Sequence, residues 1–168
     1  MITIRNARED ETETLTDIGL RAWEKAMAPI GETAAMRENA HSAFSNFIRT
    51  TWLTINVAEK GGVAVGWAAR EALDENITDF WVDPAYERQG VGAALLDEME
   101  KEIVRQGFFK ASLETHAQSA AVAFFEKHGY SVHWLTTAYS PKLDRDIQSV
   151  GLSRQLAEEV SDTYGPEF

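Results

Sequence analysis

Apolar positions recur at two different spacings along the chain, and each change of spacing marks an element. MITIRNA alternates Ile2 and Ile4 with polar neighbours, which predicts a short strand. REDETETLTDIGLRAWEKAM places Leu15, Ile18, Trp23 and Met27 near helical spacing, behind acids that suit a first turn. Pro29 and Gly31 stop that helix. Thr33–Thr50 predicts a second helix, with Phe44, Phe47 and Ile48 on its apolar side. Three strands follow, Trp52–Ala58, Val63–Ala72 and Asn76–Val82, separated by turns at EKGG and LDEN. In Gly90–Gln106, Val91, Leu95, Met99 and Ile103 recur every fourth residue, while Asp97, Glu98, Lys101 and Arg105 cover the wet side of a helix. FFKASLETH reads as a buried strand, Ser119–His128 as a helix faced by Val122, Phe124 and Phe125, and GYSVHWLTTAY as a strand. After the polar loop SPKLDRD, IQSVGLSRQL fits a last strand, although Leu152, Leu156 and Val160 also fit a helix.

This order predicts an α/β chain of the α+β type, with a mixed, mostly antiparallel sheet. It lacks the repeated βαβ units of a doubly wound dinucleotide fold. With no repeat and no break in composition, one domain is expected over residues 1–153 and a tail over 154–168, loose or docked on a neighbour.

The 44% hydrophobic and 26% charged fractions are those of a soluble globular protein. No apolar run reaches the length of about 18 residues that spans a membrane, and the N-terminus has no signal-peptide pattern. The chain has no cysteine, which excludes disulfides, zinc–thiolate sites and cysteine nucleophiles. No His or carboxylate group has metal-ligand spacing, so no metal is expected. These features suit the cytoplasm. The net charge of −11, with Lys and Arg scattered, argues against nucleic-acid binding. It keeps the chain soluble and would favour a cationic substrate such as an amine.

ERQGVGAA changes the picture. Gly90 and Gly92 stand where a long helix begins, although a glycine inside a helix costs about 0.5–1 kcal/mol. A helix start offers free N–H groups and the positive end of the dipole, and glycine lets the main chain approach a ligand. Arg88 to Ala93 would therefore donate N–H groups to a phosphate. There is no GxxxxGK[ST] loop and no third glycine for GxGxxG. Alone, the pair reads more simply as a tight cap than as a ligand site.

It does not stand alone. Val82–Asp83–Pro84 followed by Gln89–Gly90–Val91–Gly92–Ala93 resembles the V-D-P and [QR]-x-x-G-x-[GA] signature of the GNAT superfamily of acyl-CoA-dependent N-acyltransferases. QSAAVAFFEKHGY, Gln118 to Tyr130, resembles that family's second motif at Ala121, Phe124, Gly129 and Tyr130. The resemblance covers roughly residues 1–153. It implies a sheet of six or seven strands and about four helices, splayed between its fourth and fifth strands. It implies that the loop, Glu87 to Ala93, holds the pyrophosphate of acetyl-CoA, with the backbone of Trp81 and Val82 along the pantetheine arm and Gln118 on that arm. Lys127 would meet the 3′-phosphate, and one N–H of the fourth strand would act as oxyanion donor.

The implied reaction is attack of a neutral amine, of a small molecule or a protein, on the acetyl thioester. Glu114 is the first candidate for its base, with Asp79 and Glu75 behind it. The family's acid tyrosine is replaced by Phe125, which keeps that residue's expected place against the cofactor but has no proton to give. Tyr139, His128 and His116 are the local alternatives, or the thiolate leaves unassisted. Glu87 stands where Gln or Arg is usual and should turn to solvent, with Arg88 pairing to phosphate. Trp23, Met27, Phe44, Trp52, Trp134 and Tyr139 are candidates to line the acceptor site. Phe125 also raises an alternative function, an acyl-CoA-binding regulatory module without turnover. A homodimer is expected by analogy.

Overall fold

The computed structural model describes residues 1–158. Its elements are β1 (Ile2–Asn6), α1 (Thr12–Met27), α2 (Ala34–Thr51), β2 (Asn56–Lys60), β3 (Val63–Ala69), β4 (Asp79–Val82), α3 (Val91–Arg105), β5 (Lys110–His116), α4 (Ala120–Lys127), β6 (Ser131–Ser140) and β7 (Arg145–Gln155). Strands β1-β2-β3-β4 form one antiparallel sheet and β5-β7-β6 another. A parallel bridge, Asn76 to Ser112, joins the two halves. There the Ile77 N–H reaches Ser112 O at 2.8 Å and the Ser112 N–H reaches Glu75 O at 2.9 Å.

Each face has its own core. The predicted recurrence of α3 holds: Val91, Leu95, Met99 and Ile103 are buried against Val65, Ala68 and the β5–β7 side. Full burial of one such side chain contributes about 1.5–3 kcal/mol. Gly66 lets α3 lie this close, because a Cβ there would stand 3.2 Å from both Val91 and Leu95. On the other face, α1 and α2 bury Leu15, Ile18, Phe44 and Ile48 over Trp67. Thr33 caps α2 by accepting from the Met36 N–H at 3.1 Å, and Ser119 caps α4 by accepting from the Ala121 N–H at 3.0 Å.

Boundaries moved where side chains compete with strand pairing. Trp52–Thr54 continues α2 as a 3-10 turn, so β2 starts at Asn56 rather than Trp52. Arg70 is almost fully buried and bonds Asp74 O and Gln106 Oε1, which ends β3 at Ala69. The acids before α1 form a separate turn, where Glu11 pairs with Arg5 at 2.7 Å. The last apolar segment is a strand, paired on both edges and running past residue 153; Leu156 N–H then bonds Phe109 O at 2.7 Å. Val160 and most of the expected tail lie outside the described residues.

The approach to β4 carries the feature that positions the site. Ile77 and Phe80 both pack on the α3 core although they are three residues apart. Strict alternation forbids that. The carbonyl of Ala69, which pairs with Asp79, also accepts the Thr78 N–H at 3.1 Å. Thr78 is therefore an extra residue, a bulge, and beyond it β4 turns away from β5.

Candidate active site

Past the bulge the β4 edge facing β5 has no strand partner among the described residues. Asp83 N–H bonds Val65 O at 2.9 Å, and Trp81 pairs with Trp67 two residues earlier. The Trp81 carbonyl points the same way, standing 3.0 Å from where a Gly66 Cβ would be. By alternation, the N–H and C=O groups of Phe80 and Val82 face the gap. Val82 presents its backbone to the gap, whereas the backbone of Trp81 is engaged with β3. Its side chain packs edge-on against Phe44, with ring centroids 5.1 Å apart. Phe80 carries no sequence motif, and the broken alternation of Ile77 and Phe80 is the one signal that points to it.

The loop after β4 is shaped for an anion. Asp83 accepts the Ala85 N–H at 3.0 Å and pairs with Arg21 at 2.7 Å, fixing the turn. Arg88 and Gly90 adopt left-handed backbone, with φ of 60° and 84°. The first α3 bond runs from Ala94 N–H to Gly90 O at 3.0 Å, so the N–H groups of Val91, Gly92 and Ala93 stand free among the described residues. Glu87 does not turn to solvent alone: Lys25 of α1 pairs with it, which places a cation beside the carboxylate and offsets part of its charge. Lys60 of β2 likewise donates to Gln89. Neither lysine was singled out from the sequence, because both come from distant elements. Arg88 is exposed, with no ion pair among the described residues. Gly92 has a second purpose: a Cβ there would lie 3.0 Å from the Phe124 ring.

On α4, the structure separates the expected contacts. Gln118 is exposed at the helix entrance and lines a cavity of about 270 Å³ with Ile30, Thr137 and Arg145–Gln148. Lys127 is exposed at the far end. Phe125 is 2% exposed and wedged among Phe80, Phe124 and Tyr130, so it lies in the core and presents no face to a ligand. Tyr130 is also core; burial first, then its 2.7 Å bond to Glu100, push its phenol up. His128 packs against Phe124 at the α4 C-terminus, with the rings tilted at 44°.

The opposite face of the splay carries the titratable groups. Glu114 is exposed in a cleft of about 990 Å³, with Thr78, His133, Trp134 and Gly151 around it and no ion pair among the described residues. Asp79, just past the bulge, accepts from Trp81 Nε1 and from Thr78 Oγ1, each at 3.3 Å. Burial, and beyond it the Glu71 charge, push its carboxyl up to about 6. His116 closes the end of β5. Its Nε2–H donates to the Ala26 carbonyl of α1 at 2.8 Å, which leaves Nδ1 a lone pair that is buried without a partner among the described residues. Burial lowers its pKa. Tyr139 stands elsewhere: it is 56% exposed near the end of β6 and donates to Asp144 across the hairpin, so it is not brought to the gap. Of the aromatics considered for the acceptor, Phe44, Trp23 and Trp52 belong to the α1–α2 core, and Trp134 faces the cleft.

Known proteins share this fold. Over 95 residues the chain is 32% identical to the [ribosomal protein bS18]-alanine N-acetyltransferase of Escherichia coli strain K12, a match that spans 55% of this chain and 64% of that enzyme. The fold matches the solved ribosomal-protein-S18-alanine N-acetyltransferase of Escherichia coli (TM-score 0.72, 21% identity, 98% of this chain and 100% of that one). It also matches the PaiA N-acetyltransferase of Thermoplasma acidophilum, solved with coenzyme A (TM-score 0.70, 18% identity, 92% and 99%). A GCN5-related N-acetyltransferase of Rhodopseudomonas palustris agrees as well (TM-score 0.73, 21% identity, 91% and 94%). No helix among the described residues is long and apolar enough to cross a membrane. Residues 13–130, from the first turn of α1 through the second glycine motif, match the profile of the Acetyltransferase (GNAT) family, and the chain belongs to that family.

Proposed function

We propose that the chain transfers an acetyl group from acetyl-CoA to a primary amine of a small molecule or a protein, by direct attack on the thioester. The observation that carries this reading is the unpaired β4 edge of Phe80 and Val82 leading from the Arg88–Ala93 cradle. The free N–H groups of Val91, Gly92 and Ala93 hold the pyrophosphate, helped by Arg88. The N–H groups of Phe80 and Val82 bind the pantetheine arm and stabilise the oxyanion. Glu114 takes the proton of the attacking amine as the C–N bond forms. The C–S bond then breaks, and the proton held by Glu114 passes through water to the thiolate, which restores the base. A thiol with pKa near 8.5 is a good enough leaving group that Phe125 need not be replaced by an acid.

The acceptor is an amine and the chain works in the cytoplasm. A homodimer belongs to the same reading, with the outer strand β6, exposed at Leu135 and Tyr139, open to a second copy. Free thiol released from acetyl-CoA, measured against polyamines, amino acids, aminoglycosides and N-terminal peptides, tests the transfer. Binding of acetyl-CoA with no release above background for any acceptor would support a regulatory module instead. Glu114→Gln is expected to lower kcat/KM for the amine by about 10²-fold or more while leaving acetyl-CoA affinity unchanged.

A further inference from the structure

We propose that Trp134, laid across Gly151 beside Glu114, forms the floor of a site that selects acceptors arriving as ammonium ions. The inference rests on the transfer reading for its place in a reaction, but not for its geometry. Glu114, Gly151 and Trp134 sit abreast on β5, β7 and β6. A Cβ on Gly151 would lie 2.1 Å from Cε2 of Trp134, so the indole rests flat where only a glycine leaves room.

A bulge puts it there. Val132 pairs with Leu152, which faces the α3–α4 core, and the register then slips so that Trp134 pairs with Gly151. Without the slip, His133 would face Gly151 and Trp134 would follow Val132 to the other side of the sheet. Bulges near functional sites commonly re-aim one side chain in this way. One face of the indole is covered by Gly151, yet the residue stays 43% exposed. Its other face looks into the cleft. The charged groups around that cleft are Glu75 and Lys110, 3.9 Å from each other, and the unpaired Glu114. An aromatic face next to an unpaired carboxylate attracts an ammonium by its quadrupole and its charge together. The chain's net charge of −11 draws the same ion from solution.

The test needs no turnover, so its failure is distinct from failure of the transfer reading. Choline carries a quaternary ammonium that cannot be acetylated, and 3,3-dimethylbutan-1-ol is its uncharged isostere. The protein is labelled with 5-fluorotryptophan, and the Trp134→Phe variant assigns the Trp134 resonance among the five tryptophans. Choline is expected to shift that resonance saturably, and the isostere to leave it in place. Gly151→Ala, checked for folding by its melting temperature, is expected to displace the indole and weaken choline by about fivefold or more. Equal responses to choline and its isostere, no response to choline, or unchanged affinity in Gly151→Ala would each overturn the proposal. If Gly151→Ala does not fold, Glu114→Gln with the same readout decides: the proposal requires weaker choline binding there.

Discussion

Asp79 is a carboxylate from whose charge the fold gains nothing. Its two hydrogen bonds come from the neutral Trp81 and Thr78, and its nearest charged neighbour of consequence is Glu71, of like sign. Burial is the larger cause of its rise from 3.8 to about 6. A raised carboxyl favours the protonated form in the native state, so stability declines as pH rises from about 4 to about 6 and stays low above that. The loss amounts to at most about 3 kcal/mol. Asp79→Asn keeps an acceptor for Trp81 and removes the charge. It is expected to raise the melting temperature at pH 7–8 and to leave it unchanged at pH 4, which thermal scans across pH read directly. A higher melting temperature at pH 4 only would reverse the sign and refute the account. Strain of this kind is common where a group serves chemistry. If Asp79 shares the proton relay with Glu114, the variant also loses the rise in kcat/KM through pH 6.

Among the elements, the contact between α3 and α4 decides whether the Arg88–Ala93 loop keeps its shape. Gly92 meets the edge of Phe124, and that ring is backed by Phe80, Phe125 and His128, leaving it little room to retreat. Gly92→Ala is expected to push the first turn of α3 outward, lowering the melting temperature by a few degrees and coenzyme A affinity by about tenfold. The double variant with Phe124→Leu should recover most of both, as calorimetric titration and thermal scans would show. Additive losses would mean the two do not communicate. The same pair shows what was legible in the sequence. The period of Val91, Leu95, Met99 and Ile103 disclosed α3 and its buried face, and the glycines marked the loop, because both are local patterns. That Gly92 also accommodates Phe124, that Lys25 pairs with Glu87, and that Phe125 is sealed in the core depend on residues distant in sequence. Trp52 misled for a related reason: it packs on the α1–α2 core from a helical turn, and an apolar residue at such a junction suits either period.

For the whole molecule, the consequence of the β4 bulge is a sheet in two halves that meet at the Asn76–Ser112 bridge and through the helices on one face. A ligand lying in the gap replaces the missing ladder and ties the halves together. Coenzyme A should therefore stabilise the fold; at about 100 times its dissociation constant the gain is about 2.7 kcal/mol. For a chain of this size that is a rise of about 5–10 °C in melting temperature. Hydrogen exchange adds a finer test, because the alternation along β4 divides its amides into two sets. Trp81 and Asp83 already bond β3 and should exchange slowly with or without coenzyme A. Phe80 and Val82 face the gap and should exchange fast in the free protein and slow down when coenzyme A is bound. Protection that rises equally at all four amides would indicate general stiffening rather than a ligand bonded to one edge. Protection confined to the loop amides of Val91 to Ala93 would place the coenzyme on the cradle with its arm outside the gap, and the oxyanion role of β4 would fall with it.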